Sequence, residues 1–398
     1  MKPVIKLLLI VLASGYSHSC EKDPLVTIPD DNFLNALIEL GVDNNGDGII
    51  SAGEAEAITY LDVSGTPNVS GEIESLKGIE AFINLEELYC VYNKLSSLDL
   101  SNNSNLISLN CDRNKLTSLD VTNNRRLKTL FCNFNNIHTL DITKNTELEW
   151  LSCTDNSITS LDISQNANLE ALHCIGNLLT ELDVTTNVLL GSLWCRDNNL
   201  GTLDISSNDL LTSLKCDNCQ LKQLDVSHNN NLVALHCSDN QLTELEISNH
   251  IELKNLYCSG NQLSSLDISN LIQLYRFDCS QNQLSGLDVS NNTVLEELHC
   301  SDCGLTSIDV ANNTILKILF CSGNQLTTLD ISNNTLLGSK DHYCMIDLDI
   351  SDMPSLYQVC VWVMPFPPDP PPGSDECKQV IIKTTGSPNV YFTTECSK

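Results

Sequence analysis

The chain has 398 residues, 19 of them cysteine, and its 51 Asp and Glu against 21 Lys and Arg leave a net charge of −30. A surface this acidic has no basic stripe with which to displace phosphate counterions, so nucleic acid is excluded as a ligand.

At the start of the chain Lys2 and Lys6 make a basic segment, Leu7 to Ala13 a short apolar core, and Ser17-His18-Ser19 precede Cys20. The apolar run is too short to span a bilayer, so residues 1–19 read as a removed signal peptide and 20–27 as a tether. The segment resembles the loose lipobox of Bacteroidetes-type lipoproteins. That resemblance implies acylation of Cys20 and a surface-exposed lipoprotein of the bacterial outer membrane, with a periplasm-facing or secreted protein as alternatives. Ser17 stands where the usual Leu at minus three would be, which leaves ordinary cleavage before Cys20 open. No other apolar stretch is long enough for a transmembrane helix, so membrane contact is expected through the lipid anchor alone.

Residues 28–75 form a module of their own. Phe33, Leu34, Leu37, Ile38 and Leu40 give Ile28–Leu40 a helical apolar face, with Asp30 and Asp31 placed to cap its start. Twelve residues from Asp43 to Glu54 then match the EF-hand calcium loop at every position. Asp43, Asn45 and Asp47 are oxygen ligands, Gly48 makes the sharp turn, Ile49 offers its carbonyl, Ser51 binds directly or through water, and Glu54 is bidentate. The alternative is an Asx-rich turn ahead of a short helix. A single loop implies calcium as a structural cofactor bound weakly, at about 10⁻⁴ to 10⁻³ M.

From residue 76 to 362 one unit repeats. Cysteines fall every 21 residues from Cys90 to Cys321, twelve in all, inside the frame LxxLxCxxNxLxxLD[IV]SxNxx, as in Leu85, Leu88, Cys90, Asn93, Leu95, Leu98, Asp99, Leu100, Ser101 and Asn103. Self-similarity at this period marks a solenoid. Alternation at Leu88 and Cys90 has the period of a strand with one buried face, and Asn93 follows where the chain must turn. The frame resembles the leucine-rich repeat, in particular the 21-residue bacterial form related to the internalins. The resemblance implies an α/β-type solenoid of predominantly β content, curved, with a concave parallel sheet, one strand per coil. It also implies that the repeated Asn points inward and bonds the neighbouring coil; Cys219 and Cys303 replace it in two coils, whose turns should be weaker. The segment 28–75, with Leu61-Asp62-Val63-Ser64 and then Leu76–Phe82, resembles the N-terminal cap of surface leucine-rich repeat proteins from Bacteroidetes and Firmicutes.

Nineteen cysteines in an exported chain suggest a disulfide framework, yet stacked strands hold equivalent side chains about 4.8 Å apart, so no rung of the ladder is uniquely placed to pair. The twelve read as buried thiols filling the space of a Leu. The pairs Cys216/Cys219 and Cys300/Cys303 look like zinc knuckles, but they lie four coils apart, roughly 19 Å, and cannot share an ion.

Toward the end Lys340 and His342 stand in place of Leu and Cys, and the coil reads as two residues short before Leu348-Asp349-Ile350-Ser351 restores the frame. Leu356, Val359 and Val361 begin a last coil. Residues 363–398 form a Pro-rich segment, Pro365 to Pro372, and a short β C-cap with strand signals at Val380–Ile382 and Val390–Phe392 around Gly386. Cys344, Cys360, Cys377 and Cys396 lie outside the ladder and allow three connectivities. Resemblance to related C-caps implies Cys360 with Cys396.

One carboxylate per coil recurs from Asp99 through Asp120, Asp141 and onward to Asp330, and like charges about 4.8 Å apart repel by roughly 0.9 kcal/mol per pair even in water. Backbone N–H groups or the adjacent Ser and Thr row offset this, or else a row of divalent cations does. In each strand the residue between the buried Leu and Cys faces outward on the concave side. Read coil by coil, that row holds Tyr89, Phe131, His173, Trp194, His236, Tyr257, His299 and Phe320, and Trp150 joins it from two positions back. Exposed aromatics and histidines in such numbers form a recognition surface. A triad-like grouping of Asp278, His299 and Ser280 or Ser301 is the competing, hydrolase reading; serine fills that phase in five consecutive coils, Ser238 to Ser322, so repetition explains it. The expected protein is a non-enzymatic, monomeric cell-surface binder of a protein or glycan ligand in adhesion or capture, the runner-up a scaffold for other envelope proteins.

Overall fold

The computed structural model describes residues 23–66, 71–338, 347–364 and 382–396. The signal segment with Cys20, the stretch holding Lys340, His342 and Cys344, Pro365 to Pro372, Cys377, Val380 and Ile381 lie outside the described residues.

Each 21-residue unit makes one coil with a three-residue strand. Its middle Leu is buried and the outer two residues are mostly half-buried, as in Glu87–Tyr89, Ser108–Asn110 and Ser213–Lys215. Neighbouring strands pair in parallel without slip: Glu87 lies opposite Ser108, Leu88 opposite Leu109, Tyr89 opposite Asn110. The register stays constant from Tyr60–Asp62, which precedes the first full repeat, through Ile318–Phe320, within a fifteen-stranded sheet. A coil this small has no core of its own; Leu85, Leu88, Cys90, Leu95, Leu98 and Leu100 are buried only because the same residues of adjacent coils lie above and below.

Asparagine connects the coils where strands cannot. Asn114 donates its amide N–H groups to the carbonyls of Cys90 (2.9 Å) and Cys111 (3.0 Å), and its Oδ1 accepts from the Leu95 amide (3.1 Å). The same set recurs at Asn135, Asn177 and Asn261. A second row does likewise on the opposite side of the coil, Asn124 donating to Leu100 O and Asn103 O. In that row His250 stands in for one asparagine, its Nε2 3.0 Å from Val226 O.

The cap begins with a helix, α1 (Asp31–Glu39), shorter than the Ile28–Leu40 expected. Pro29 precedes Asp30, whose Oδ1 takes the amides of Asn32 and Phe33 and so stops the helix there. Its Oδ2 takes the Glu74 and Ser75 amides (2.7 and 2.8 Å), tying the helix to the segment before the first repeat. Phe33 and Leu37 are fully buried, while Leu40 is exposed. A second short helix, α2 (Ala52–Glu56), starts with a capping box between Ser51 and Glu54. Among the described residues no helix is long and apolar enough to cross a membrane.

The C-terminal end departs from the expected register. Leu348-Asp349 pairs with Leu319-Phe320 in the concave sheet, so Leu348-Asp349-Ile350-Ser351 occupies the strand phase rather than the LD[IV]S phase. The two stretches share the pattern Leu-x-apolar, and only the spatial partner distinguishes them. Gln358–Cys360 pairs instead with Thr328–Asp330 on the opposite side of the coil. The last segment is not a hairpin: Ile382–Lys383 extends the concave sheet beside Leu348-Asp349, and Tyr391–Thr393 extends the smaller three-stranded sheet beside Gln358–Cys360. The C-terminal cap is therefore a further coil of the same winding. Cys360 and Cys396 are joined in a disulfide, with Cα atoms 5.7 Å apart.

Candidate binding face and calcium loop

Constant register turns the outward strand positions into straight rows, and on the concave face the rings meet. Phe131 and Trp150 are edge-to-face at 5.5 Å, Trp150 and His173 at 6.0 Å, and His173 stacks flat on Trp194 at 3.9 Å with an interplanar angle of 5°. The Lys215 ammonium lies over the other face of Trp194, 3.9 Å from the ring centre. Small neighbours in the adjoining strand position fix the ring edges: Trp194 Nε1 donates to Ser213 Oγ at 3.0 Å, and His173 Nε2 lies 3.1 Å from Ser192 Oγ. The structure thus brings Phe131, Trp150, His173 and Trp194 into one run. His236 with Tyr257 (4.4 Å) and His299 with Phe320 (4.5 Å) form separate pairs farther along, and Tyr89 packs with Tyr60 at 5.6 Å toward the cap.

Trp150 is the most open member at 44% exposure, and beside it an open groove of about 520 Å³ runs past Ala171, Gly191 and Ser192 to Leu189 and Leu210. Those exposed leucines are not legible as surface residues in the sequence because they lie in the turn before the strand, outside the alternation. The same holds for Tyr92, Arg113 and Phe134, on the turn after it. The Arg113 guanidinium lies 3.8 Å from the Phe134 ring centre and 5.1 Å from that of Tyr92. All three take left-handed backbone angles, φ 54 to 56°, at a position that other coils fill with Gly176, Gly260 or Gly323. Bulky residues in a turn phase suited to Gly are the signal that would have found them.

In the grouping of the hydrolase reading, Asp278 lies opposite His299 on the neighbouring strand. Asp278 Oδ1 accepts from the Ser280 amide, Ser280 Oγ accepts from the Ser301 amide, and Ser301 Oγ accepts from Ser322 Oγ, a chain of like contacts down the row. The acidic row has its own offset. Asp120 Oδ1 accepts from the Thr122 amide (2.9 Å) and hydroxyl (2.6 Å), Asp99 Oδ1 accepts from the Ser101 amide, and such donors hold both carboxyls below their ordinary range.

The Asp43–Glu54 loop is wound by its own Asx side chains. Asp43 accepts the amides of Gly46, Asp47 and Gly48, Asn45 Oδ1 that of Asp47, and Asp47 Oδ1 that of Ile49. Gly48 sits at φ 81°, as the sharp turn requires. Glu54 is buried, takes the Asn44 amide on one oxygen and the Ser51 amide and hydroxyl on the other, and is held below the usual carboxylate range chiefly by Ser51. The Ile50 carbonyl, inside the loop, accepts from Val26, so an extended cap segment pairs with the loop. The all-oxygen donor set of Asp43, Asn45, Asp47, the Ile49 carbonyl, Ser51 and Glu54 fits a hard cation. Among the described residues the one group of three acidic, His or Cys side chains with ligand atoms within 4.8 Å of one another is Asp330, Cys360 and Cys396, whose sulfurs are already spent on each other. The loop carboxylates therefore stand wider apart than in a closed cage, and Glu54 would have to release its capping bonds to ligate.

The fold is that of leucine-rich repeat proteins. It is similar to the functional domain of InlJ from Listeria monocytogenes, which includes a cysteine ladder: 29% identity over 84% of this chain and 80% of that one, TM-score 0.61. It is also similar to the internalin InlF of the same organism, at 25% identity over 79% of this chain and 94% of that one, TM-score 0.69. A leucine-rich repeat protein of Leptospira interrogans matches at 24% identity over 72% and 84% of the two chains, TM-score 0.64. No protein-family model matches the chain, and neither does any curated protein.

Burial, then the charge of Lys215, pushes His173 and His236 down to about 4. The folded values lie below the ordinary histidine value of about 6.5, so both rings are neutral above pH 5, and the stability they contribute is lost as pH falls from 6.5 through 4. Ring-proton titration by NMR should give both midpoints near 4, moving up in Lys215→Gln; midpoints near 6.5 in the wild type would contradict this packing.

Proposed function

We propose that this protein is a non-enzymatic surface binder that takes a protein ligand on its concave face, centred on Phe131, Trp150, His173, Trp194 and Lys215. The observation that carries the reading is the continuous contact between these rings. Internalin-like neighbours support a protein-binding or adhesion role for such a fold. Aromatic residues held by their neighbours offer contact area at little entropic cost, the property of binding hot spots. Protein is favoured over glycan because His173 and Lys215 cover both faces of Trp194, leaving ring edges rather than the flat face on which a sugar stacks. The groove beside Trp150 accepts side chains and extends the surface to Leu189 and Leu210.

Acylation of Cys20 would hold this binder at the outer membrane, and calcium in the Asp43–Glu54 loop would lock the cap on which the first coil rests. Bound there, the ion would draw together and neutralise the carboxylates of Asp43, Asp47 and Glu54. A scaffold facing the periplasm is the second reading.

Three outcomes are expected. With far-UV circular dichroism unchanged, Trp150→Ala/Trp194→Ala should weaken capture of protein from a target-cell surface extract by about 30-fold or more, about 2 kcal/mol for even one hot spot; equal capture by both proteins would sink the concave-face assignment. Millimolar calcium should raise the thermal midpoint of the wild type and leave that of Asp43→Ala unmoved, whereas a wild type indifferent to calcium removes the ion from the account. Protease added to intact cells should digest the protein, and full resistance would point to the scaffold facing inward.

A further inference from the structure

Two coils break the inner asparagine ladder, and they break it in the same way. Where Asn198 and Asn240 donate to carbonyls of the ladder cysteines, Cys219 places its thiol, which donates to Cys195 O of the preceding coil at 3.2 Å. Cys303 does the same to Cys279 O, also at 3.2 Å. Along the sequence Cys216 and Cys300 are the cysteines nearest to Cys219 and Cys303, three residues away on the same coil. The fold instead aims each extra thiol at the ladder cysteine 24 residues back, whose carbonyl oxygen it reaches. The thiols of Cys195, Cys219, Cys279 and Cys303 are all buried.

We propose that Cys195 with Cys219, and Cys279 with Cys303, close into inter-coil disulfides when the chain folds in an oxidising compartment, giving the solenoid two internal cross-links. The equivalence that keeps the ladder reduced fails at these two rungs, because each has one cysteine outside the row whose thiol reaches its carbonyl. The oxidant is a disulfide donor, RSSR, of the compartment. The Cys303 thiolate attacks it, forming a mixed disulfide and releasing one RS⁻. The Cys279 thiolate then attacks the Cys303 sulfur and releases the second RS⁻, so that two thiol protons and two electrons leave the protein and RSSR becomes two RSH. Cys219 and Cys195 react by the same two exchanges. The cross-links replace stitching that the lost asparagines cannot supply: Leu200 and Leu284, unlike Leu179 and Leu263, have no Oδ1 in the next coil to accept their amides.

The test is to refold the full chain with oxidised glutathione, quench with acid, alkylate, digest and identify linked peptides by mass spectrometry. Molecules in which Cys360–Cys396 has formed are the ones scored, which guarantees that oxidation took place. Peptides joining Cys195 to Cys219 and Cys279 to Cys303 are expected, each link lowering the mass by two hydrogens, with Cys90, Cys111, Cys132 and Cys153 alkylated. Alkylation of Cys219 and Cys303 in those molecules, or links within Cys216/Cys219 and Cys300/Cys303, overturns the proposal. A second arm uses Cys219→Asn/Cys303→Asn, which restores the residue that neighbouring coils carry. Reductant should lower the thermal midpoint of the wild type more than that of this variant; equal falls would show that the four thiols were never joined.

Discussion

A coil of 21 residues places only three of them in a strand, so the buried turns on either side carry backbone N–H and C=O groups that no sheet can satisfy. The side-chain amide is the group that solves this, because it offers two donors and an acceptor from one short stem. Asn177 donates to the carbonyls of Cys153 and Cys174 and accepts from the amide of Ile158, so one side chain serves both its own coil and the one before. Leaving any one of these buried groups unpaired would cost about 1–3 kcal/mol, and the arrangement repeats through most of the solenoid. Even where the coil is longer, Glu87 lying opposite Tyr60, Asn93 keeps its bonds to Val63 O (2.9 Å) and Cys90 O (3.2 Å). The asparagines thus tie neighbouring coils together more specifically than the leucines, which pack against any apolar neighbour.

Constant register has a consequence for everything on the surface: like stands next to like. On the convex side this brings carboxylates together, and their repulsion is met locally by the amide and often the hydroxyl two residues on, as at Asp141 with Thr143 and Asp183 with Thr185. On the concave side the same stacking brings rings together, and there the contact is favourable. His173, held between Trp150 and Trp194, is neutral for the same reason that it is well packed. The candidate binding face and the acidic row are two results of one geometric rule applied to different residues.

Repetition is also why the solenoid is legible in the sequence. Any error at one coil is outvoted by the others, so strand phase, buried cysteine and outward row can be named from Leu88, Tyr89 and Cys90 alone. Where repetition ends, legibility ends with it. Leu348-Asp349-Ile350-Ser351 has the letters of the convex turn and the position of a concave strand, because both phases ask for Leu-x-apolar and the choice is made by Leu319 and Phe320 across the sheet. Cys219 and Cys303 visibly interrupt the asparagines, yet the spacing along the chain draws attention to Cys216 and Cys300 rather than to the residues the two thiols bond. The contact is with Cys195 and Cys279, one coil back, a relation that the 24-residue offset of the asparagine bonds already contains.

The turn residues Tyr92, Arg113 and Phe134 extend this argument to the candidate face. A left-handed conformation costs a residue with a Cβ about 1–2 kcal/mol, least for Asn and Asp and nothing for Gly. Asp155, Asp197, Asp239 and Asp302 and the glycines of other coils are the inexpensive choices at this phase. Three successive bulky side chains thus spend stability that the fold does not require, and mutual stacking of Arg113 on the two rings returns only part of it, since an exposed cation–π contact contributes about 0.5–1 kcal/mol. They stand beside Tyr89 and Phe131, at the edge where the concave row begins. A strained, exposed, aromatic turn adjoining the row is better explained as part of the proposed recognition surface than as packing, and it carries that surface around the rim of the sheet toward the N-terminal cap.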